Sequence, residues 1–130
     1  MTQPLEQVIA GSTFHLAGTY LWVSARAVRN YEKHLMVSRD ATETTVVTLP
    51  EHLADVDIIE VNRDRWTLLD VAVANPFYCA GFLATIANVL GGAGIDILVI
   101  STYSRDWTFV KEEEAQRAAE LLRAAGFVQR

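Results

Sequence analysis

The stretch from Trp66 to Phe127 switches repeatedly between two hydrophobic periods, and that alternation leaves few folds open. Trp66 to Val73 (WTLLDVAV) is apolar and reads as a strand. Asn75-Pro76 ends it, since proline has no ladder donor and biases the residue before it away from helix. From Cys79 to Leu90, apolar residues fall at Cys79, Phe82, Leu83, Ile86, Val89 and Leu90, which is one face of a helix. Gly91-Gly92-Ala93-Gly94 stops that helix. Ile95 to Tyr103 returns as a strand, Ser104-Arg105-Asp106 is a tight turn, and Trp107 to Lys111 comes back beside it. Glu112 to Ala125 forms a second helix, closed by Gly126 with Phe127 as the following apolar contact. The order is strand, helix, strand, strand, helix.

The first half is richer in strands. Phe14 to Arg26 reads as one long strand, with Gly18 marking a bulge or a close approach. Ala25 to Lys33 is expected to make one or two helical turns. Leu35 to Arg39 and Thr44 to Leu49 read as a hairpin turning at Asp40-Ala41-Thr42-Glu43. Pro50 to Asp55 suits a single helical turn, with proline at its first position. Val56 to Val61 is a further strand. The polar run Asn62 to Arg65 is the expected boundary between a lobe at 1–61 and a lobe at 62–130.

Composition narrows the classes. The chain has 130 residues, 51% of them apolar, enough to build a core. No run approaches the roughly 18 apolar residues a spanning helix needs. The first residues lack the basic-then-apolar order of a signal peptide, so a cytoplasmic protein is expected. The formal charge of −5 argues against a nucleic-acid surface. Arg26, Arg29 and Lys33 are the nearest approach to a basic cluster, and Glu32 sits among them. Around the second helix, Glu112, Glu113 and Glu114 fit the positive end of the helix dipole, and Glu113 is placed to pair with Arg117. The strands are apolar on both faces: Leu69 and Val71 against Leu68 and Ala72, Ile97 and Val99 against Leu98 and Ile100. A sheet with one wet face should alternate apolar with polar, so a covered sheet or a homodimer is expected.

The sequence offers no coherent catalytic or metal-ligating set. Gly91-Gly92-Ala93-Gly94 follows a helix and precedes a strand, the reverse of a phosphate loop, and no Lys-Ser/Thr comes after it. His15, His34 and His52 lack metal-ligand spacing, and Cys79, the one cysteine, sits on an apolar helix face. Asp55, Asp57 and Glu60 make a possible acid/base group, though any strand surface offers the same. No cofactor is implied.

The residues Ala93 to Ile97, the hairpin ISTYSRDWTFVKE from Ile100 and the Val110-Lys111-Glu112-Glu113 step together resemble the ACT domain. The closer match is the subfamily related to cytosolic arginine sensors and to aspartate kinase regulatory domains. The resemblance implies an α+β protein of tandem ferredoxin-like βαββαβ lobes, the first reduced and helix-poor. It implies a non-catalytic regulatory module that binds a small molecule, an amino acid, and signals through a protein partner. The expected ligand-binding residues are Asn75, Phe77 and Tyr78 at the start of the first helix, with Ser101, Thr102 and Asp106 at the hairpin. Free N–H groups at a helix start can hold a carboxylate, and the resembled sensors place a ligand-binding aspartate where Asp106 stands. The plainer readings are that Asn75 caps the helix, Phe77 is core, and Asp106 ties its own turn. Trp107 departs from the Tyr or Phe of related members. A dimerisation module or a small enzyme with an interface site are the alternatives.

Overall fold

The computed structural model describes residues 5–72, 81–103 and 105–130. In chain order the elements are α1 (Leu5–Ala10), β1 (Thr13–Val28), β2 (Met36–Arg39), β3 (Thr44–Thr48), β4 (Val56–Val61) and β5 (Trp66–Ala72). They continue with α2 (Phe82–Gly91), β6 (Ile97–Ser101), β7 (Asp106–Lys111), α3 (Ala115–Ala124) and β8 (Val128–Gln129). Short 3₁₀ turns occupy Tyr31–Lys33, Pro50–Asp55 and Glu112–Glu114. The class is α+β, as the alternating pattern implies.

The chain divides into two compact units, residues 1–17 together with 67–130, and residues 18–66. These bounds differ from 1–61 and 62–130, because the start of the chain packs with the C-terminal half. Val8, Ile9 and Phe14 lie in the same buried cluster as Leu69, Val71, Ile86, Leu90, Val110 and Leu122.

In that unit the strand order is β1-β5-β7-β6, with β8 parallel to the start of β1 through Thr13↔Val128 and Phe14↔Gln129. β8 supplies the last strand of the βαββαβ order that the sequence left one strand short. α2 buries Phe82, Ile86 and Leu90, while Leu83, expected on the same face, is exposed. Phe82 meets Phe127 edge to face at 5.6 Å, a favoured aromatic geometry. α3 buries Ala115, Ala118, Ala119 and Leu122, the small-residue stripe that lets a helix approach a sheet closely. It ends at Gly126, whose φ of +108° suits glycine, with the Phe127 N–H donating to Leu122 O at 3.1 Å. Arg117 pairs with Glu114 at 3.5 Å and donates to Ala93 O at 2.7 Å. The expected Glu113 partner is displaced because the first turn is 3₁₀, where residues three apart eclipse. β5 is buried on both faces, with Leu68 as well as Leu69 and Val71 in the interior.

One side chain in β7 has no partner among the described residues. The Thr108 hydroxyl is fully buried and makes no hydrogen bond to them. An unpaired buried hydroxyl costs about 1–3 kcal/mol of desolvation. Thr108→Val keeps the shape and removes the hydroxyl, so it is expected to stabilise the protein by about 1 kcal/mol in urea unfolding. A destabilised variant would show that the hydroxyl is satisfied in solution.

In the unit 18–66, β3 lies between β2 and β1, and β4 pairs with the other edge of β1. Leu21, Val23, Ala25, Val46 and Val56 form its core. The helical turns expected from Ala25 to Lys33 are replaced by strand up to Val28, because Ala27 and Val28 pair with Asp57 and Val56. Only Tyr31–Lys33 turns. The hairpin turn after β2 is held by Asp40, whose Oδ1 accepts from Thr42 N–H at 2.8 Å, Thr42 Oγ1 at 2.9 Å and Glu43 N–H at 3.0 Å. The Thr42 N–H, first among these, holds the carboxyl below its usual value. Among the described residues no helix is long and apolar enough to cross a membrane.

Candidate functional site

The β6–β7 hairpin gathers three of the expected site residues. Its register is Ser101↔Asp106, Ile100↔Trp107 and Val99↔Thr108. The turn closes where Thr102 N–H donates to Arg105 O at 2.7 Å and Arg105 N–H donates to Thr102 Oγ1 at 3.0 Å. Ser101 Oγ donates to Asp106 Oδ1 at 2.8 Å across the strand pair. Ser101, Thr102 and Asp106 therefore lie within one turn of each other. Asp106 is half-buried and its carboxylate has lone pairs beyond the Ser101 bond. Asn75, Phe77, Tyr78 and Cys79 lie outside the described residues.

Arg105 Nη1 donates to both oxygens of Asp70, at 3.0 and 3.1 Å. His15 Nε2 stands 3.8 Å from Asp70 Oδ2. Arg130 Nη2 is 3.0 Å from His15 Nδ1. Arginine cannot accept a hydrogen bond, so Nδ1 is the acceptor and the imidazole proton sits on Nε2, facing the carboxylate. This relay fixes the root of the hairpin. Sequence reasoning missed it, although one signal was present: Asp70 is the lone charge in the apolar run Leu68-Leu69-Asp70-Val71. A charge inside such a strand needs a partner.

The other candidate chemistries resolve into structural ties. Asp55 accepts from Asn30 Nδ2 at 2.7 Å and lies 3.7 Å from Lys33 Nζ. The Asn30 bond is the main reason its carboxyl sits below the usual range. Asp57 pairs with Arg26 at 2.7 Å. Buried His34 bonds Thr48 Oγ1 through Nδ1 and Arg29 O through Nε2. Its Nε2 must carry the proton given to the carbonyl. Among the described residues no group of three or more metal-ligating side chains converges.

Residues 61–124 match the family model of the ACT domain, and the chain carries an ACT domain across that stretch. Solved structures share the fold. A Vibrio cholerae protein of unknown function, described as a possible transport protein, superposes with a TM-score of 0.78 at 26% identity, covering 94% of this chain and 95% of its own. An Agrobacterium tumefaciens protein gives 0.72 at 22% identity, with 92% of each chain covered. The ligand-free regulatory subunit of aspartate kinase from Thermus thermophilus gives 0.64 at 9% identity, over 86% of this chain and 95% of its own. At that identity the likeness speaks to the fold alone. No curated protein matches the chain.

Proposed function

We propose that this protein is a non-catalytic regulatory module whose ACT domain binds a small molecule, an amino acid, and passes the bound state to a protein partner. The single observation that carries the reading is the match of residues 61–124 to the ACT domain, with a polar hairpin end inside it. Ser101, Thr102 and Asp106 form one half of the proposed site. Asn75, Phe77 and Tyr78, at the start of the first helix as read from sequence, form the other. The carboxylate of Asp106 would take an ammonium or a basic side chain, and helix-start N–H groups would take a carboxylate. Signalling would follow from differential affinity: a ligand that favours one arrangement shifts the population toward it. The reading of residues before the ACT domain as a reduced first lobe belongs to the same proposal, as does a cytoplasmic setting.

A thermal-shift screen of the twenty amino acids tests the proposal. A true ligand at about 100 times its dissociation constant stabilises the fold by roughly 2.7 kcal/mol. No change in melting temperature at millimolar concentration with any amino acid or close analogue would remove the sensor reading.

Assembly is the second part. β5 is buried on both faces, and Val99 on β6 and Val128 on β8 are exposed. We expect a homodimer joined through sheet edges or helix faces of the ACT domains. Light scattering at tens of micromolar should give twice the chain mass of 14.4 kDa. A monomeric mass overturns it.

A further inference from the structure

The end of β1 carries a groove that the ACT reading does not use. It encloses about 540 Å³ within the unit 18–66. The β1–β3 ladder stops at Ala25↔Thr44, so Ala27 and Val28 lie beyond the end of β3. They line the groove together with Val37 of β2. The rim is Arg26, Arg39 and Tyr31, and no acidic residue lines the groove.

Arg26 is the extra residue of a β-bulge: β1 advances from Ala25 to Ala27 while β4 advances only from Ile58 to Asp57. Bulges re-aim side chains and are common beside binding sites. Arg26 Nη1 donates to Asp57 Oδ1 at 2.7 Å, which leaves the other N–H groups of that guanidinium available. Arg39 ends β2, is exposed, and among the described residues pairs with no carboxylate. Tyr31 is 62% exposed, the largest such aromatic on this unit. It is not on a loose loop. Asn30 before it takes the left-handed conformation (φ 52°) and bonds Asp55 at 2.7 Å. His34 after it donates its backbone N–H to Tyr31 O at 3.1 Å and is itself locked through both ring nitrogens.

We propose that this groove binds a small organic anion, a carboxylate carried on an apolar or aromatic body. Arg39 and Arg26 supply the charge-assisted donors, and the guanidinium fork matches a carboxylate. Tyr31, Val28 and Val37 cover the apolar body. The backbone carrying Tyr31 is held by the Asn30 and His34 bonds, so ordering on binding falls on the side chains. Arg26 is already paired with Asp57, so the uncompensated positive charge on the rim is that of Arg39, and it favours an anion. The site is separate from the hairpin and does not rest on the amino-acid reading.

The test is a titration of the ¹⁵N-labelled protein with 3-phenylpropionate, followed by amide chemical shifts. Saturable shifts are expected for residues 26–31 and 37–44. The neutral 3-phenylpropanamide should bind at least about tenfold more weakly, the loss expected for a charge-assisted contact. Arg39→Met should weaken 3-phenylpropionate binding by about the same factor, and Tyr31→Ala should weaken it too. Asp106→Ala should leave it unchanged, which separates this site from the hairpin. Both wild-type comparisons need no variant, so a folding failure cannot mask the answer. The proposal is overturned if the shifts do not saturate by ~10 mM, if the amide binds equally well, or if inorganic phosphate binds as tightly as 3-phenylpropionate.

Discussion

Phe14→Ala is expected to destabilise the protein by about 3–5 kcal/mol, the usual cost of emptying a fully buried aromatic site. Phe14 has no exposed surface and lies in the cluster formed by α1, β5, α2, β7 and α3. Its backbone also accepts from Arg130 N–H at 2.8 Å, so the ring is held where β8 closes. A loss of this size is a large share of the 5–15 kcal/mol that a domain possesses. Urea unfolding followed at 222 nm measures it, because α1, α2 and α3 all belong to the unit that contains Phe14. The midpoint should fall while the slope holds. A loss under about 1 kcal/mol would mean that the buried cluster repacks around the missing ring.

Asp106→Ala is the second large effect, and it acts on affinity. If Asp106 holds the ligand by a charge-assisted bond, its removal costs about 1.5–3 kcal/mol of binding to whichever amino acid the thermal screen identifies. The effect on folding should be below about 1 kcal/mol, since the side chain gives up one hydrogen bond, from Ser101 Oγ, on an exposed hairpin end. Calorimetric titration and urea unfolding on the same variant separate the roles. Unchanged affinity with reduced stability would assign Asp106 to the turn alone and leave the Asn75 loop as the proposed site.

The strands were largely legible because their apolar alternation is local. Val56 to Val61 was read residue for residue, and the proline-led turn at Pro50 to Asp55 was found where expected. Misreadings came where distant residues decide. Ala25 to Val28 have no strong local preference, and the β4 ladder claims them as strand. β8 has two residues, too few for any periodic signal, and its partner lies near the opposite end of the chain. The same holds for the site. The Ser101–Asp106 contact spans five residues and follows from the turn, whereas Arg105 and Asp70 stand 35 residues apart. Charge inside an apolar strand is visible in sequence, but the identity of its partner is not.

The interrupted unit has a consequence for the order in which the chain can fold during synthesis. Residues 18–66 emerge from the ribosome as a continuous block, so that unit has all its residues before β5 is complete. The other unit begins with residues that wait for partners translated far later: His15 and Arg130 are separated by 115 positions. Until then Phe14, Val8 and Ile9 have no core to enter. Closure of such a distant pairing is slow compared with local hairpins. Until that pairing closes, Val8, Ile9 and Phe14 are apolar side chains without their core, the kind of transient exposure that invites aggregation.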